Sequence, residues 1–301
     1  MRAIVTGGAG FIGSHVVEAL LARGDEVLVV DDLSSGKREN LPDGARLDEA
    51  DIREPLDSYF DGAEACFHLA AQVDVRVSVE RPEHDADVNV GGTIRVLEAA
   101  RRHGTQVVFS STGGAIYGEC DGPAPEDAPR RPLAPYGVSK LAGEEYLAAY
   151  NRLYETRHVS LRYGNVYGPR QDPHGEAGVV AIFFGRLAAG EAPRIFGDGR
   201  QTRDYVFAGD VARATLAAVG LDGGVFNIGT GVETSVLELY DLCRRVAGAE
   251  IEAEPAPARL GELQRSVLDV SRAESELGWR PEVGLEDGLR RTWESFAGSG
   301  P

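Results

Sequence analysis

Short apolar runs alternate with longer stretches of helical periodicity along the first half of the chain. Residues 27–30 and 107–111 are continuous runs rich in valine and small residues, as expected of strands buried on both faces. Apolar residues recur at three- and four-residue spacing at 11–21, 82–103 and 136–154, which predicts helices. This alternation predicts an α/β fold with a doubly wound parallel sheet, whose two faces are covered by helices.

The remaining elements follow from the same pattern. Further strands are predicted at 4–6, 45–47, 63–69 and 159–163. Gly24 follows the first helix and is placed to cap its C-terminus. Beyond Gly164 the segments are short and rich in glycine and proline, which predicts a smaller mixed lobe interleaved with the last elements of the sheet. The Ala-, Pro- and Glu-rich segment 252–258 is expected to be a loop.

The composition is that of an acidic globular protein. The 301 residues are 43% hydrophobic and 26% charged, and the formal net charge is −17. A field of this sign repels phosphate at long range, which argues against general binding of nucleic acid or of anionic membranes. A phosphorylated substrate would need local cationic contacts, so arginines in pockets become informative.

The cysteines and the N-terminus indicate a compartment. Cys66, Cys120 and Cys243 are well separated, so they form neither a disulfide framework nor a metal-ligand cluster. The first strand begins at once, which leaves no room for a signal peptide, and no run approaches the length of a membrane span. We expect a cytoplasmic protein without a structural metal.

A glycine-rich turn joins the first strand to the first helix. Gly7, Gly10 and Gly13 let a backbone turn tightly and let a pyrophosphate approach a helix N-terminus, although such glycines also serve packing alone. Asp31 and Asp32 end the second strand about 20 residues further on, where an acid can accept a hydrogen bond from a ribose 2′-hydroxyl. Together these features predict a dinucleotide site that favours NAD over NADP.

Candidate catalytic side chains lie near the middle of the chain. Tyr136 and Lys140 are four residues apart at a predicted helix start, so they share one helix face. A free tyrosine has a pKa of about 10, and a neighbouring cation together with an oxidised nicotinamide would favour its phenolate. Thr112 is placed to hydrogen-bond the hydroxyl that Tyr136 deprotonates, with Ser111 as its rival. The alternatives are a surface aromatic beside a solvated lysine, and hydroxyls that only cap a strand end.

Five motifs together resemble one family. They are T-G-G-A-G-F-I-G-S at 6–14, Y-x-x-x-K at 136–140, L-R-Y-G-N-V-Y-G-P-R at 161–170, G-D-G-x-x-x-R-D-Y-V at 197–206 and F-N-I-G-T-G at 226–231. With them the chain resembles the extended short-chain dehydrogenases/reductases, and specifically the UDP-glucose 4-epimerase family, over essentially its whole length.

The resemblance implies a transient oxidation of a UDP-hexose. Tyr136 takes the proton of the sugar 4-hydroxyl while bound NAD accepts hydride from C4, which leaves a 4-keto sugar. The ketone turns within the pocket, and hydride returns to its other face. The substrate is anchored by its UDP end while the hexose rotates.

The resemblance also implies which residues act in the site. The catalytic residues are Thr112, Tyr136 and Lys140. The cofactor contacts are Gly7, Gly10, Phe11, Ile12, Gly13, Asp31, Asp32, Leu33, Ser35, Gly36, Asp51, Ile52, Leu69, Ala70, Ala71, Gln72, Asn89, Ser110, Ser111, Tyr136, Lys140 and Tyr163. The substrate contacts are Thr112, Gly113, Gly114, Tyr136, Asn165, Val179, Val180, Ile195, Phe196, Arg203, Arg259, Glu262 and Ser266.

Within the substrate set the resemblance assigns separate roles. Arg203 and Arg259 match two diphosphate-binding arginines, whose guanidinium forks suit phosphate oxygens. Asn165 contacts the diphosphate, Ile195 and Phe196 line the uracil slot, and Glu262 lies on the uridine ribose.

Two departures from the family pattern bear on which reaction and which substrates are expected. Dehydratases of this superfamily carry Asp-Glu after the catalytic threonine, where this chain has Gly113 and Gly114, so dehydration lacks its carboxylates. Hexose-restricted epimerases have a bulky tyrosine where this chain has Ser266. We therefore expect tolerance of UDP-GlcNAc and UDP-GalNAc besides UDP-Glc and UDP-Gal, unless Ser266 faces elsewhere and the loop closes the space.

Two alternative functions remain open on the sequence. A UDP-glucuronate 4-epimerase would need a cation near the sugar C6, for which Arg76, Arg170 and Arg186 are candidates. A catalytically silent NAD-binding regulator could use the same fold. The presence of both Tyr136 and Lys140 argues against that second alternative.

The resemblance extends to domains and assembly. It implies an NAD-binding Rossmann domain at 1–164, to which segments near 200–230 return, and a UDP-sugar-binding lobe at 165–301. The family commonly forms dimers through a four-helix bundle. The predicted helices near 91–103 and 137–154 carry apolar residues that are expected to be exposed, such as Val138, Leu141 and Tyr146, so we expect a homodimer.

Overall fold

The computed structural model describes residues 1–173, 178–259 and 263–297. Its strands are, in chain order, β1 (Arg2–Thr6), β2 (Glu26–Asp31), β3 (Arg46–Glu49), β4 (Ala65–His68), β5 (Gln106–Thr112), β6 (Val159–Tyr163), β7 (Asn165–Tyr167), β8 (Arg194–Phe196), β9 (Thr202–Phe207), β10 (Gly224–Ile228), β11 (Glu233–Ser235), β12 (Glu254–Ala256) and β13 (Arg265–Ser266). Its helices are α1 (Phe11–Ala22), α2 (Asp57–Phe60), α3 (Val75–Glu80), α4 (Pro82–Ala86), α5 (Gly92–His103), α6 (Gly113–Ile116), α7 (Pro135–Tyr154), α8 (Val179–Ala188), α9 (Ala208–Ala217), α10 (Val236–Ala247), α11 (Ser271–Glu276) and α12 (Leu285–Ala297).

Seven parallel strands form the main sheet, in the order β3-β2-β1-β4-β5-β6-β10. β1 pairs with β2 on one side and with β4 on the other, so the direction of winding reverses beside β1. In such sheets a crevice opens at the carboxyl ends of the strands where the winding reverses. This arrangement confirms the predicted doubly wound α/β fold.

The main sheet carries a hydrophobic layer on each face, because successive side chains of a strand point in opposite directions. Val5 of β1 packs in one layer with Val17 of α1 and Val211 of α9. Its neighbour Ile4 packs in the other layer with Val96 of α5. The two layers fix the sheet between its helices and hold the ends of the strands in place at the crevice.

A smaller mixed lobe is built mainly from the second half of the chain. β9 pairs with β7, β11 and β13, and β8 pairs with β12. Aromatic contacts join the helices around it: the rings of Phe183 in α8 and Tyr240 in α10 lie 5.0 Å apart, centroid to centroid. β10 follows β9 in sequence but pairs with β6 of the main sheet. The lobe is therefore interleaved with the sheet.

Two segments show where the sequence patterns succeed and fail. The helix predicted at 82–103 is present as α4 and α5, joined by a π-helical turn at Asp87–Gly91. The segment 252–258, expected to be a loop, instead contains β12, in which Pro255 lies opposite Ile195 of β8. β12 belongs to a two-stranded ladder, and an edge strand tolerates proline because no second neighbour needs its N–H. Within the described ranges, every helix is too short or too polar to cross a membrane.

Candidate active site

The glycine turn between β1 and α1 lies at the crevice of the main sheet. Gly7 has a φ of +71°, and a Cβ at Gly13 would lie 2.1 Å from the Gly7 carbonyl oxygen, so a side chain at either position would strain the turn. The described residues supply α1 with no side-chain cap, and its first turn holds no acid. The free amides and the helix dipole therefore suit an anion such as a diphosphate.

Asp31 at the end of β2 stabilises this turn by accepting hydrogen bonds. Its carboxylate accepts hydrogen bonds from the backbone N–H of Ala9 and of Leu33, each at 2.9 Å. Burial raises the pKa of Asp31, whereas the two N–H donors favour its ionised form. Asp32 is exposed beside it, and both residues line the cleft described below. The acid that sequence reasoning assigns to a ribose thus also shapes the glycine turn.

A cleft of about 2220 Å³ begins at the glycine turn and reaches the start of α7. All the residues expected to contact the cofactor line it, with the exception of Asn89. Asn89 is buried behind the wall, where its side chain accepts from the Gln72 N–H at 2.8 Å and donates to the Gln72 carbonyl at 2.9 Å. Asn89 therefore acts on the cleft through Gln72. The glycine turn, the acid and the length of this cleft fit a dinucleotide.

Lys140 is buried in the wall of the cleft, with only 3% of its surface exposed. Its ammonium donates to the Ser110 carbonyl at 2.8 Å and lies 4.9 Å from the centre of the Phe109 ring. Burial lowers the pKa of Lys140 to about 8, and the carboxylates of Asp85 and Glu144 oppose that shift. Close to neutral pH, small changes around Lys140 therefore decide whether its amine is protonated.

Tyr136, one turn earlier on α7, also lines the cleft. Burial and the nearby Asp85 carboxylate raise its pKa, and no hydrogen bond from the described residues contributes to that shift. The protein alone thus keeps Tyr136 as a neutral phenol whose hydroxyl is available to a ligand. A phenolate requires additional positive charge at the site, as the sequence argument supposes.

The two candidate hydroxyls at the end of β5 have different surroundings. Ser111 is buried and donates its hydroxyl to Glu144 in a short hydrogen bond. Glu144 in turn pairs with the buried guanidinium of Arg162 at 2.6 Å. Both residues line the cleft, but the Ser111 hydroxyl is engaged with Glu144, whereas Thr112 is only partly buried. The geometry favours Thr112 as the hydroxyl that meets a ligand.

Gly113 and Gly114 begin α6 directly after Thr112. A Cβ at Gly113 would lie 2.6 and 2.7 Å from the two end carbons of the buried Leu268 side chain. A Cβ at Gly114 would lie 3.5 Å from Asn165 Oδ1 and 4.0 Å from Thr112 Oγ1, which is ordinary contact distance. Gly113 therefore serves packing, and Gly114 lies between two expected substrate contacts.

A second pocket of about 710 Å³ lies in the smaller lobe. The expected substrate residues Val179, Phe196 and Arg259 line it, and the Arg259 guanidinium lies 4.0 Å from the centre of the Phe196 ring. Arg259 also lines the main cleft. The structure therefore brings these three residues to the far end of the cleft that holds Tyr136.

Other expected substrate residues lie outside these linings. Val180 and Ile195 are buried in the core of the smaller lobe. Arg203 lies on β9 beside Ser266 of β13, where its guanidinium donates to the Thr202 carbonyl at 2.7 Å. Neither of them lines the cleft or the second pocket, and the same holds for Gly113 and Gly114. Glu262 lies outside the described residues.

The arginines considered for a sugar carboxylate have other contacts. Arg170 lines the cleft, but its guanidinium donates to His15 at 2.7 Å and pairs with Glu18 at 2.6 Å, both on α1. Arg186 pairs with Glu191 in the outer part of the cleft. Arg76 is exposed at the start of α3. The contacts of Arg170 join the segment after β7 to the helix at the glycine turn.

Sequence reasoning missed Asp85, a fully buried carboxylate on α4. It accepts hydrogen bonds from Gln72, Asn89 and Ser139, which lie on three different segments. Its four-residue spacing from Asn89 was visible in the sequence. Its link to Ser139 was not, because more than 50 residues separate the two.

The chain is similar along its length to known proteins. The sequence model of the NAD dependent epimerase/dehydratase family matches residues 3–229. The UDP-glucose 4-epimerase of Mycolicibacterium smegmatis is 50% identical over 98% of both chains. The crystal structure of Thermotoga maritima UDP-glucose 4-epimerase with UDP-glucose gives a TM-score of 0.97 at 47% identity over 99% of both chains. The Thermus thermophilus UDP-glucose 4-epimerase complex with NAD gives 0.95 at 48% identity over 100% of both chains.

Proposed function

The chain belongs to the NAD dependent epimerase/dehydratase family, and we propose that it epimerises UDP-hexoses at C4, interconverting UDP-glucose and UDP-galactose with bound NAD. One observation carries this proposal: a single cleft is lined by the glycine turn, by Tyr136 and Lys140, and by Arg259. A dinucleotide entering from one end and a nucleotide sugar from the other would meet at the Tyr136 hydroxyl.

The glycine turn, Asp31 and Gln72 would hold NAD, with the diphosphate at the N-terminus of α1. When bound, NAD supplies the hydride acceptor for the sugar C4 and the hydride donor for the return step. Asn89 would support this site from behind, because it holds both backbone polar groups of Gln72.

Tyr136 moves the proton of the 4-hydroxyl in this proposal. Its phenolate accepts that proton as the 4-keto sugar forms and returns it when the ketone is reduced. Burial opposes a phenolate, so the Lys140 ammonium on the same helix face has to stabilise it. Thr112 donates a hydrogen bond to the same sugar oxygen and so fixes its direction.

The smaller lobe holds the nucleotide end of the substrate in this proposal. The uracil contacts Phe196 and Val179, and the Arg259 guanidinium binds the diphosphate. Asn165, which lines the main cleft, adds a further diphosphate contact, and the expected role of Arg203 stays a prediction because Arg203 lines neither cavity. An anchored diphosphate provides binding energy without restricting the hexose, which can then present either face of its C4 carbonyl.

Two other reactions are less well supported. Dehydration needs an acid and a base where Gly113 and Gly114 stand, and Leu268 leaves no room for a side chain at Gly113. Epimerisation of UDP-glucuronate needs a cation for the sugar carboxylate. Of the three candidate arginines, Arg170 and Arg186 are paired with glutamates, and Arg76 lines the cleft from the exposed start of α3.

Acceptance of N-acetylated UDP-hexoses stays a prediction. Ser266 is buried on β13 and lines neither cavity, so its small size acts at most through its neighbours. Gly114 lines neither cavity itself, but it lies beside Thr112 and Asn165, which do line the cleft, and it leaves room next to them.

We also propose the domain division at residue 164, a cytoplasmic location and a homodimer. Val138 and Tyr146 of α7, together with Val75 and Val79 of α3, form exposed apolar positions that a second copy would cover. Leu141, expected to be exposed, is instead partly buried against the Ile116 cluster and is not available to a partner.

The proposed function is tested by incubating the purified, NAD-loaded protein separately with UDP-glucose, UDP-GlcNAc and UDP-glucuronate and resolving the 4-epimers by chromatography. We expect UDP-galactose from the first substrate, and UDP-GalNAc from the second. Conversion of the uronate alone would contradict the proposal.

A further inference from the structure

Asp85 is a buried carboxylate without a cationic partner of its own. It has 0% exposed surface, and its oxygens accept from Gln72 Nε2 at 2.9 Å, from Asn89 Nδ2 at 3.0 Å and from the Ser139 hydroxyl in a short bond. These three donors, which come from the described residues, are all neutral. A buried charge usually has an ion-pair partner, so a carboxylate held by neutral groups requires a reason.

The donors connect Asp85 to two walls of the cleft. Gln72 lines the cleft on the cofactor side, directly after Ala70 and Ala71. Ser139 lies on α7 between Tyr136 and Lys140. One carboxylate therefore joins the segment expected to contact the cofactor to the helix that carries Tyr136.

Asp85 also faces the two titrating groups of that helix. Its charge raises the pKa of both Tyr136 and Lys140. The other titratable groups near Lys140 differ from Asp85. Glu144 is paired with Arg162. Burial lowers the pKa of His68 to about 3, which leaves its ring neutral. From β5, Lys140 meets only the Ser110 carbonyl and the Phe109 ring. Among the described residues, Asp85 is thus a carboxylate near the pair whose hydrogen-bond donors are all neutral.

We propose that Asp85 is a positioning residue for the epimerisation: its hydrogen bonds to Gln72, Asn89 and Ser139 orient α7 against the Gln72 segment, and its charge acts on the Lys140 side chain of that helix. This inference rests on the proposed function for its catalytic meaning. The effect of the Asp85 charge on Lys140 involves only side chains of this protein, so it can be measured without following the reaction.

The lysine content of the sequence provides a direct way to measure the pKa of Lys140. The chain contains two lysines, Lys37 and Lys140. Lys37 is half exposed and pairs with Asp172, and neither residue belongs to α7. Protein labelled with ¹³C-lysine and loaded with NAD should therefore give two Cε signals in NMR, of which Lys37 is the internal control.

The informative variant is Asp85→Asn, which keeps the shape and removes the charge. The Ser139 hydroxyl can rotate to accept from the new amide, so the network can re-form. We expect the Lys140 pKa to fall by about one pH unit or more, with the Lys37 signal unmoved. Because the pKa of Tyr136 falls as well, both limbs of the pH profile of kcat should move to lower pH.

The matched control is Ser139→Ala, which removes the link to α7 and keeps the Asp85 charge. We expect the Lys140 pKa to stay close to its original value while kcat falls about tenfold and KM changes little. A role in folding alone would leave the Lys140 pKa and the pH profile of Asp85→Asn unchanged, and that result would overturn the inference. Absence of epimerisation by the parent protein would instead contradict the proposed function, and the NMR titration would still decide the role of Asp85.

Discussion

The hydroxyl of Ser111 donates to the buried carboxylate of Glu144, which also holds the guanidinium of Arg162 at 2.6 Å. This contact separates two adjacent hydroxyls that look equivalent in the sequence. Both residues line the cleft, but the Ser111 hydroxyl belongs to a buried ionic network with Glu144 and Arg162, whereas Thr112 is only partly buried. The division of roles leads to the first prediction.

Thr112→Ala should lower kcat about 100-fold, because a hydrogen bond to the reacting sugar oxygen is lost. Thr112→Ser keeps a hydroxyl and should retain most of the activity. Ser111→Ala should act on stability instead, lowering the free energy of unfolding by about 1–2 kcal/mol, with kcat changed only a few-fold. Steady-state kinetics and urea unfolding of the three variants test this, and the reverse pattern would exchange the two roles.

Gly113 and Gly114 should respond differently to the same substitution. Gly113→Ala brings a methyl group against the end of the Leu268 side chain, which is 1% exposed and has to shift within a packed core, so we expect a loss of about 1–3 kcal/mol in unfolding free energy. Gly114→Ala meets only ordinary contacts and should be nearly neutral for stability. Thermal melting of both variants provides the measurement. Equal melting temperatures would show that the Leu268 contact does not constrain Gly113.

Adjacent glutamates on α7 offer a matched test of burial. Glu144→Gln leaves the buried Arg162 guanidinium without its counter-charge and should cost about 3 kcal/mol or more. Glu145→Gln removes an exposed pair with Arg130 and should change the unfolding free energy by less than about 1 kcal/mol. Urea unfolding distinguishes the two, and similar losses would contradict the assigned role of the buried pair.

Acid should destabilise the fold through its buried histidines. Burial lowers the pKa of His15 and of His158 to about 4, and that of His68 to about 3, from an ordinary value of 6.5. The unfolded chain therefore binds more protons between about pH 4 and 6.5, so stability rises with pH across that window. His158 alone should account for about 2 kcal/mol between pH 7 and pH 5.

Urea unfolding of the parent protein and of His158→Gln at pH 5 and pH 7 checks this prediction. The loss on acidification should be smaller in the variant, because one depressed pKa has been removed. An identical loss in both proteins would show that His158 is not linked to folding.

Much of the fold could be predicted because its signals are local. The strand 159–163, the helix at 82–103 and the glycine turn each follow from spacing and residue type within a short segment. The pattern at 252–258 failed because Pro255 suits an edge strand as well as a loop, and only its pairing with β8 decides between them. Side-chain contacts between distant segments are likewise not visible in a local sequence pattern.

In the site, the residues that could be predicted are those that belong to a short motif of residues close together in the sequence. Tyr136, Lys140 and Thr112 are brought to one cleft, as expected. Asp85 could not be found, because its partner Ser139 is distant in sequence and only the packing of α4 on α7 joins them. Ser266 was expected at the pocket wall and is instead buried on β13, a position set by pairing with β9.

The central claim is that the Tyr136 hydroxyl moves the proton of a sugar 4-hydroxyl. The most direct measurement follows the conversion of UDP-galactose to UDP-glucose by NAD-loaded parent protein and by Tyr136→Phe, with NAD content and UDP affinity determined for both. We predict that Tyr136→Phe binds NAD and UDP as the parent does and is slower by about 1000-fold or more. Conversion by Tyr136→Phe at the parental rate would contradict the account.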